Sequence, residues 1–344
     1  MELYLNNGFL NIPAVDAYAD KHGVAYILII GKRQVGKTYG VLKLELDTGR
    51  KWVFMRRTAK ELSLIKKQVC SPFEALEGYE GSIYFEGSAD DSILDMVKQT
   101  GEEREQVGIA VALSTVASIR GFSGKAYTDL VYDECIPESH VYKIPYEDEA
   151  FNNAYVTING NRELKGERPL KCWLLANSNK LDCAILKALS LVDIVEKMSK
   201  TGEEMRLLKD RRILIIMPDS AKITELRAKT AIYSATGTES DFARMSLENE
   251  FSHNDKSDVR QVDIRQYTRL FAVDGLVVCK HKSEPLIYVC ELFGDGLLEC
   301  YTNTEYYRNI IRRKYAGVRA SYIRGNMYFQ SISVKTRFLD IILN

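Results

Sequence analysis

Gly31-Lys32-Arg33-Gln34-Val35-Gly36-Lys37-Thr38 constrains this chain more than any other stretch. It has the spacing of a phosphate-binding loop, in which two glycines let the backbone wrap until its N–H groups converge on a phosphate. In such a loop Lys37 reaches the terminal phosphates and the Thr38 hydroxyl binds Mg²⁺. The flanks agree with this reading. The apolar run Ala25–Ile30 enters the loop and reads as a buried parallel strand; Thr38–Leu46 leaves it and reads as a helix. Strand, loop and helix in that order open an α/β fold and predict an ATP or GTP binder. The candidate nucleotide-binding residues are Gly31, Lys32, Arg33, Gln34, Val35, Gly36, Lys37, Thr38 and Tyr39.

Lys+Arg and Asp+Glu both number 47, so whole-chain charge neither favours nor excludes a nucleic-acid partner. The chain has 344 residues, 46% hydrophobic, enough for two cores. Seven cysteines without a CxxC pair read as reduced thiols rather than a disulfide framework or a zinc site. The longest strongly apolar run, Val24–Ile30, is far shorter than the ~20 residues a membrane span needs. The N-terminus lacks the basic start and long apolar core of a signal peptide. These features predict a soluble cytosolic protein without membrane contact.

Short apolar strands alternate with charged helical stretches over roughly the first 200 residues. Expected strands are Ala25–Ile30, Trp52–Met55, Ile109–Leu113, Asp129–Tyr132, Cys172–Ala176 and Ile213–Met217, with Ile83–Phe85 in a side hairpin. Thr224–Lys229 and Asp241–Met245 read as helices of a small linker. Beyond it Thr268–Val273, Leu276–Lys280, Leu286–Leu292 and Leu298–Tyr301 read as a β-meander, followed by a helix from Thr304. The expected domains are an ATPase domain at 1–205, a linker at 206–255 and a C-terminal domain at 256–344.

A phosphate loop needs a carboxylate at the end of a neighbouring strand. Leu130-Val131-Tyr132-Asp133-Glu134 supplies one. Asp133 suits Mg²⁺ and Glu134 suits polarising a water for attack on the γ-phosphate. The alternative for this pair is helix capping. Asn177, closing Trp173–Ala176, is either a γ-phosphate or water sensor or part of a strand-end Asx turn. Arg33, Arg56, Arg57, Arg120 and Arg162 are candidates to stabilise transferring phosphate charge; spacing does not choose among them.

These residues resemble the DNA-packaging ATPases (DNA encapsidation proteins) of phi29-like phages. The matching blocks are Gly31–Tyr39; Phe54–Arg57 with Lys60-Glu61-Leu62; Val131–Glu134; Asn161-Arg162-Glu163; Leu175–Ser178; and Met245–Phe251. The resemblance implies a P-loop NTPase of the additional-strand, catalytic-glutamate type. It also implies a small helical linker and a C-terminal domain like a vestigial ribonuclease-H-type nuclease. It implies a homopentameric ring at the portal (connector) of an empty prohead, moving double-stranded DNA with ATP and Mg²⁺ and contacting a packaging RNA. Such a protein would work in the host cytoplasm, sit transiently on the prohead and be missing from the mature virion. Arg120 matches a family position that acts in trans. Arg162 is the nearest arginine to a second such position, where Gly160 stands instead. The catalytic set is then Glu134, Lys37, Arg162 and Arg120, with Thr38 and Asp133 on the metal.

Two basic regions are candidate nucleic-acid contacts. One runs from Arg56 through Lys60 to Lys67, or is a solvated helix face. The other includes Arg312, Arg313 and Lys314, interleaved with tyrosines suited to stacking on bases or to a core. The first strand of the C-terminal domain, Thr268–Val273, carries no carboxylate, so no two-metal nuclease activity is expected. Two other readings stay open: a different P-loop translocase such as a helicase, and a nucleotide-dependent binding module without motor action.

Overall fold

β1 (Tyr26–Gly31) is buried along nearly its whole length, as an apolar run hydrogen-bonded on both edges must be. The computed structural model describes residues 1–69, 71–87, 93–119, 122, 124–138, 144–178, 180–181, 183–231, 235, 257–294 and 298–343. They fall into two compact units, 1–191 with 195–253, and 254–344 with 192–194.

The first unit is a mixed α/β unit built on a nine-stranded sheet. Its other strands are β2 (Trp52–Arg56), β3 (Ile83–Glu86), β4 (Ile93–Thr100), β5 (Glu103–Ala112), β6 (Asp129–Tyr132), β7 (Lys171–Asn177), β8 (Met205–Leu208) and β9 (Ile213–Ile216). Their order is β3-β4-β5-β2-β6-β7-β1-β9-β8. The stretch from β5 to β9 in that order is parallel, and antiparallel β4 and β8 flank it. β7 therefore lies between the strand that feeds the loop and the strand that ends at Asp133. Parallel strands present their carboxyl ends to one crevice, so β1, β2, β6 and β7 all deliver residues to the same place.

The helices of this unit are α1 (Ile12–Lys21), α2 (Lys37–Thr48), α3 (Ala59–Lys66), α4 (Glu147–Asn159), α5 (Ala184–Ala188), α6 (Val192–Thr201) and α7 (Ala221–Ala228). α2 carries Gly40 where α1 crosses it; a Cβ there would lie 2.5 Å from Ile12 Cγ1, so only glycine allows this approach. α3 starts on a capping box, Thr58 accepting from the Glu61 N–H and Glu61 from the Thr58 N–H.

Two expectations change here. Residues 206–217 were expected in the linker, but β8 and β9 hydrogen-bond into the main sheet, β9 directly beside β1. The boundary at 205 therefore cuts a hairpin that belongs to that sheet. Residues 93–100, without a strand expectation, form β4, whose outward polar positions mask its period. The expected helix Asp241–Met245 lies outside the described residues.

In the second unit β10 (Tyr267–Val273), β11 (Leu276–His281) and β12 (Ile287–Glu291) form an antiparallel meander. Asp274-Gly275 turns the first hairpin, with φ of +49° and +75°. Leu298–Tyr301 was expected to continue the meander. Instead β13 (Cys300–Tyr301) crosses over and pairs parallel with β10. β14 (Met327–Phe329) pairs parallel with β12 at the other edge. α8 (Glu305–Lys314), α9 (Ala316–Ile323) and α10 (Ile332–Leu343) contribute Ile311, Val318, Phe338 and Ile341 to the core against Phe271 and Val289. Among the described residues no helix is long and apolar enough to cross a membrane.

Candidate active site

Gly31, at the end of β1, has φ +152°, and Gly36, the residue before α2, has φ +85°. Both lie where side chains are strained, which is why the loop needs glycine there. Gly36 has no side chain to cap α2, and the first turn holds no acidic residue. The N–H groups of that turn, with the positive end of the helix dipole, are left to an anion.

Lys37 is buried and folds back over the loop. Its Nζ donates to the carbonyls of Gly31 (3.1 Å) and Lys32, and to Asn177 Oδ1 (3.0 Å). Burial pushes its pKa down to about 7, against the pull of Asp133. Lys37 is thus a desolvated cation, held ready by neutral oxygens. Asn177 does touch the loop, through this lysine.

The Thr38 hydroxyl donates to Asp133 Oδ1 at 2.8 Å. Arg56 then joins the two acids: one guanidinium nitrogen donates to Asp133 Oδ2 at 2.6 Å and another to Glu134 Oε2 at 2.9 Å. The reason is register. Met55 pairs with Tyr132, so the next residues, Arg56 and Asp133, lie side by side where β2 and β6 end. Glu134 turns off the strand at φ +54°. Desolvation raises its carboxyl above the ordinary carboxylate value, against the opposing effect of Arg56. A cavity of about 250 Å³ lies against Glu134, Asn177 and Glu138. A second, of about 700 Å³, is walled by Arg33, Gln34, Gly36–Tyr39 and Asn177.

The oxygens of Thr38 and Asp133 suit a Mg²⁺ ion, which takes one or two carboxylates and completes its shell with phosphates and water. Among the described residues no group of three or more His, Cys, Asp or Glu could hold a metal ion. A Mg²⁺ here would thus depend on phosphate oxygens.

Other loop residues make contacts of their own within the chain. Lys32 is buried and bonds Asp219 and Thr224 Oγ1 (2.9 Å). Arg33, expected on phosphate, pairs with Glu138. Val35 is buried, and its carbonyl accepts from the Leu10 N–H at 3.1 Å. Tyr39 lines the larger cavity. Sequence reasoning missed Arg227 of α7. It is buried and donates to Gln34 Oε1 (3.1 Å) and the Arg33 carbonyl (2.9 Å), tying α7 to the loop. An arginine in a short polar helix gives no sign of this.

Three arginine expectations are corrected. Arg56 was a candidate DNA contact; its guanidinium is engaged by Asp133 and Glu134 instead. Arg57 forms a buried pair with Glu147, with one contact at 2.9 Å. Arg162, expected to act in trans, is 8% exposed and donates to the carbonyls of Gly124 (2.7 Å), Lys125 (3.2 Å) and Tyr127. Those bonds tie the chain just before β6 to the end of α4 and point the guanidinium inward. Arg162→Ala is expected to lower stability by about 2 kcal/mol, since it strands buried carbonyls. A clear fall in the unfolding midpoint would show this, and an unchanged midpoint would contradict it. Arg120 lies outside the described residues.

Of the remaining basic candidates, Lys60 is exposed on α3, and Arg313 and Lys314 are exposed on α8, with Lys314 bonded to Glu299. Arg312 is half-buried. The interleaved tyrosines mostly serve the core: Tyr315 stacks on Phe271 (4.2 Å between centroids) and Tyr322 meets Phe329 edge-on. Tyr306 is exposed.

The fold is similar to that of the Phi-28 gp11 DNA packaging motor, with a TM-score of 0.65 and 16% identity over 96% of this chain and 97% of that one. It is also similar to the bacteriophage Phi-29 viral genome packaging motor assembly, with a TM-score of 0.56 and 18% identity over 99% of both chains. At these identities the likeness is one of fold. No curated protein matches the chain in sequence. The family model of the podovirus DNA encapsidation protein (Gp16) matches residues 20–274, well over half of the chain, and the chain belongs to that family.

Proposed function

We propose that this chain hydrolyses ATP to drive double-stranded DNA into an empty prohead, as one subunit of a ring. The observation that carries the reading is the hydrogen-bonded line Thr38–Asp133–Arg56–Glu134 beside a loop whose lysine is already in place. The triphosphate lies on the N-terminus of α2, with its charge met by Lys37 and the loop N–H groups. Thr38 and Asp133 would hold a Mg²⁺ ion, which would supply positive charge to the transferring phosphate. Glu134 takes a proton from the attacking water. Arg56 keeps the two carboxylates apart in role, one on the metal side and one on the water side. Asn177 steadies Lys37 at the end of β7. Arg120 is the arginine we assign to a neighbouring subunit's site, since its place before β6 matches the family position.

We further propose that the ring is a pentamer at the portal, working in the host cytoplasm and contacting a packaging RNA, as the resemblance to phi29-like packaging ATPases implies. Lys60, Arg313 and Lys314 are our candidate nucleic-acid contacts, supported by their exposure. We read the C-terminal unit as a vestigial nuclease of ribonuclease-H type, supported by a three-strand meander with a parallel fourth strand beside the first. β10 itself carries no carboxylate.

Purified chain mixed with empty proheads, double-stranded DNA, packaging RNA and ATP is expected to give nuclease-resistant DNA inside the proheads. Hydrolysis should rise when DNA is added. Unwinding of a forked duplex without proheads would favour a helicase instead. Negligible turnover with or without DNA would favour a binding module.

A further inference from the structure

Gln34 occupies a backbone conformation that its side chain does not favour. Its φ is +60°, in the left-handed region where residues other than glycine are strained. Gly36, two residues on, is left-handed as well, at φ +85° and ψ +18°. Left-handed residues set into a loop bring successive backbone N–H groups into one concavity, and such concavities bind anions. Gly36 adopts this conformation without strain, whereas Gln34 needs a contact to hold it there.

Arg227 of α7 supplies that contact. Its Nε donates to Gln34 Oε1 at 3.1 Å and its Nη1 to the Arg33 carbonyl at 2.9 Å. That carbonyl belongs to the same planar trans peptide as the Gln34 N–H, so the two point in opposite directions. Anchoring the oxygen on the guanidinium therefore fixes where the N–H points. One contact grips the peptide and the other grips the Gln34 side chain, and the planar fork of an arginine makes both at once. Arg227 is only 6% exposed, so water competes little for these bonds. α7 is itself well seated. Lys32 bonds Asp219 and Thr224 Oγ1 (2.9 Å), the Ser220 side chain caps the helix by accepting from the Ile223 N–H, and Lys222 donates to Asn6 O at 2.8 Å. Three consecutive loop residues, Lys32, Arg33 and Gln34, are thus held from α7 and the residues leading into it.

We propose, on the reading of the loop as a triphosphate site, that Arg227 is a positioning residue for it: Arg227 holds Gln34 in the left-handed conformation that readies the loop's N–H groups for phosphate. A loop with glycine at position 34 would reach this shape unaided. Here the shape depends on a contact between residues 193 apart in the chain. Without Arg227 the free loop relaxes toward an ordinary backbone conformation, and phosphate must restore the strained one as it binds. Affinity for phosphate is therefore set partly by α7, not by the loop alone.

The test is binding of ADP and of inorganic tripolyphosphate to the full-length chain. Arg227→Ala should weaken both probes by about tenfold, the size of the left-handed strain that phosphate must then restore. Arg227→Lys should lose nearly as much, because an ammonium keeps the charge but is a point donor that does not span both acceptors. Gln34→Gly placed in the same chain as Arg227→Ala should recover most of the loss, since glycine is left-handed without help. In steady state the loss should fall on KM for ATP more than on kcat. Gln34 is exposed, so Gln34→Ala reads the same contact without disturbing a buried residue, and it decides the matter where Arg227→Ala disrupts folding. It keeps the strain, loses one of the two bonds and should weaken both probes by about threefold. Unaltered affinity in Arg227→Ala or in Gln34→Ala would overturn the proposal. So would wild-type affinity in Arg227→Lys, which would make the arginine a charge alone, or a loss in Arg227→Ala that Gln34→Gly does not reduce. If the wild-type chain bound neither probe, the triphosphate reading itself would fail, and this one with it.

Discussion

Glu134→Gln is expected to cut ATP turnover by about 10²–10⁴-fold while ADP affinity stays near that of the wild type. Glutamine keeps the volume of glutamate and an oxygen for Arg56, which contacts Glu134 at 2.9 Å. It also tolerates the φ of +54° no worse than glutamate does. What it lacks is a basic carboxylate for the water proton. Steady-state hydrolysis against equilibrium ADP binding separates the two effects, and retained turnover would remove Glu134 from the chemistry. The wild-type pH profile gives a companion signature. A base must be deprotonated to act, and desolvation raises this carboxyl's pKa. The acid limb of kcat/KM should therefore lie above the pH expected of an ordinary glutamate, with activity lost as pH falls through it. In Glu134→Gln that limb should vanish from the residual rate.

Lys37→Ala should weaken ADP binding by about 10- to 100-fold, the loss of a charge-assisted contact to phosphate. The pH behaviour of the wild type is more diagnostic. With its pKa lowered from 10.5 to about 7, Lys37 is largely neutral at mildly alkaline pH in the free protein. Phosphate favours the charged form, so binding at that pH takes up a proton. Affinity should then fall by nearly tenfold per pH unit above about 7, until the pKa of the bound form is reached. Calorimetry in two buffers of different ionisation enthalpy counts the proton, and Lys37→Ala should abolish the uptake. Binding without pH dependence would mean that Lys37 is already charged. The same shift has the opposite sign for folding of the free chain. Between pH 7 and 10.5 the unfolded chain binds the extra proton, so this lysine's destabilising effect is largest below pH 7 and fades as pH rises.

Both predictions concern residues that were legible without coordinates. A phosphate loop imposes local demands, namely glycine at two backbone positions, an apolar strand before it and a helix after it. Such demands are written in adjacent residues. The strands Asp129–Tyr132 and Trp52–Met55 were readable for the same reason: an apolar stretch buried on both faces needs no partner to be named. β9 matches the expected strand Ile213–Met217, but its partner β8 was harder. Met205–Leu208 is short and only half-buried, so it lacks the signal that would have kept residues 206–217 with the ATPase sheet.

The arginines mark the boundary between the two kinds of information. Arg56, Arg57 and Arg162 all sit near strand or helix ends and look alike in the chain. One holds Asp133 and Glu134, one is buried against Glu147, and one secures three carbonyls. A guanidinium on a long stem goes where strand order and register place its acceptors, and Arg56 reaches Asp133 because β2 lies beside β6 with Met55 opposite Tyr132. Arg227 is a similar case: nothing in the short helix Ala221–Ala228 announces that its guanidinium will hold Gln34. The residue types and spacing of the chain by themselves determined the phosphate-loop pattern, its lysine and the carboxylates expected beside it, because those requirements are local. Only the tertiary structure decided which arginine serves those carboxylates and what walls the space beside the loop, because these depend on contacts between segments far apart in the chain.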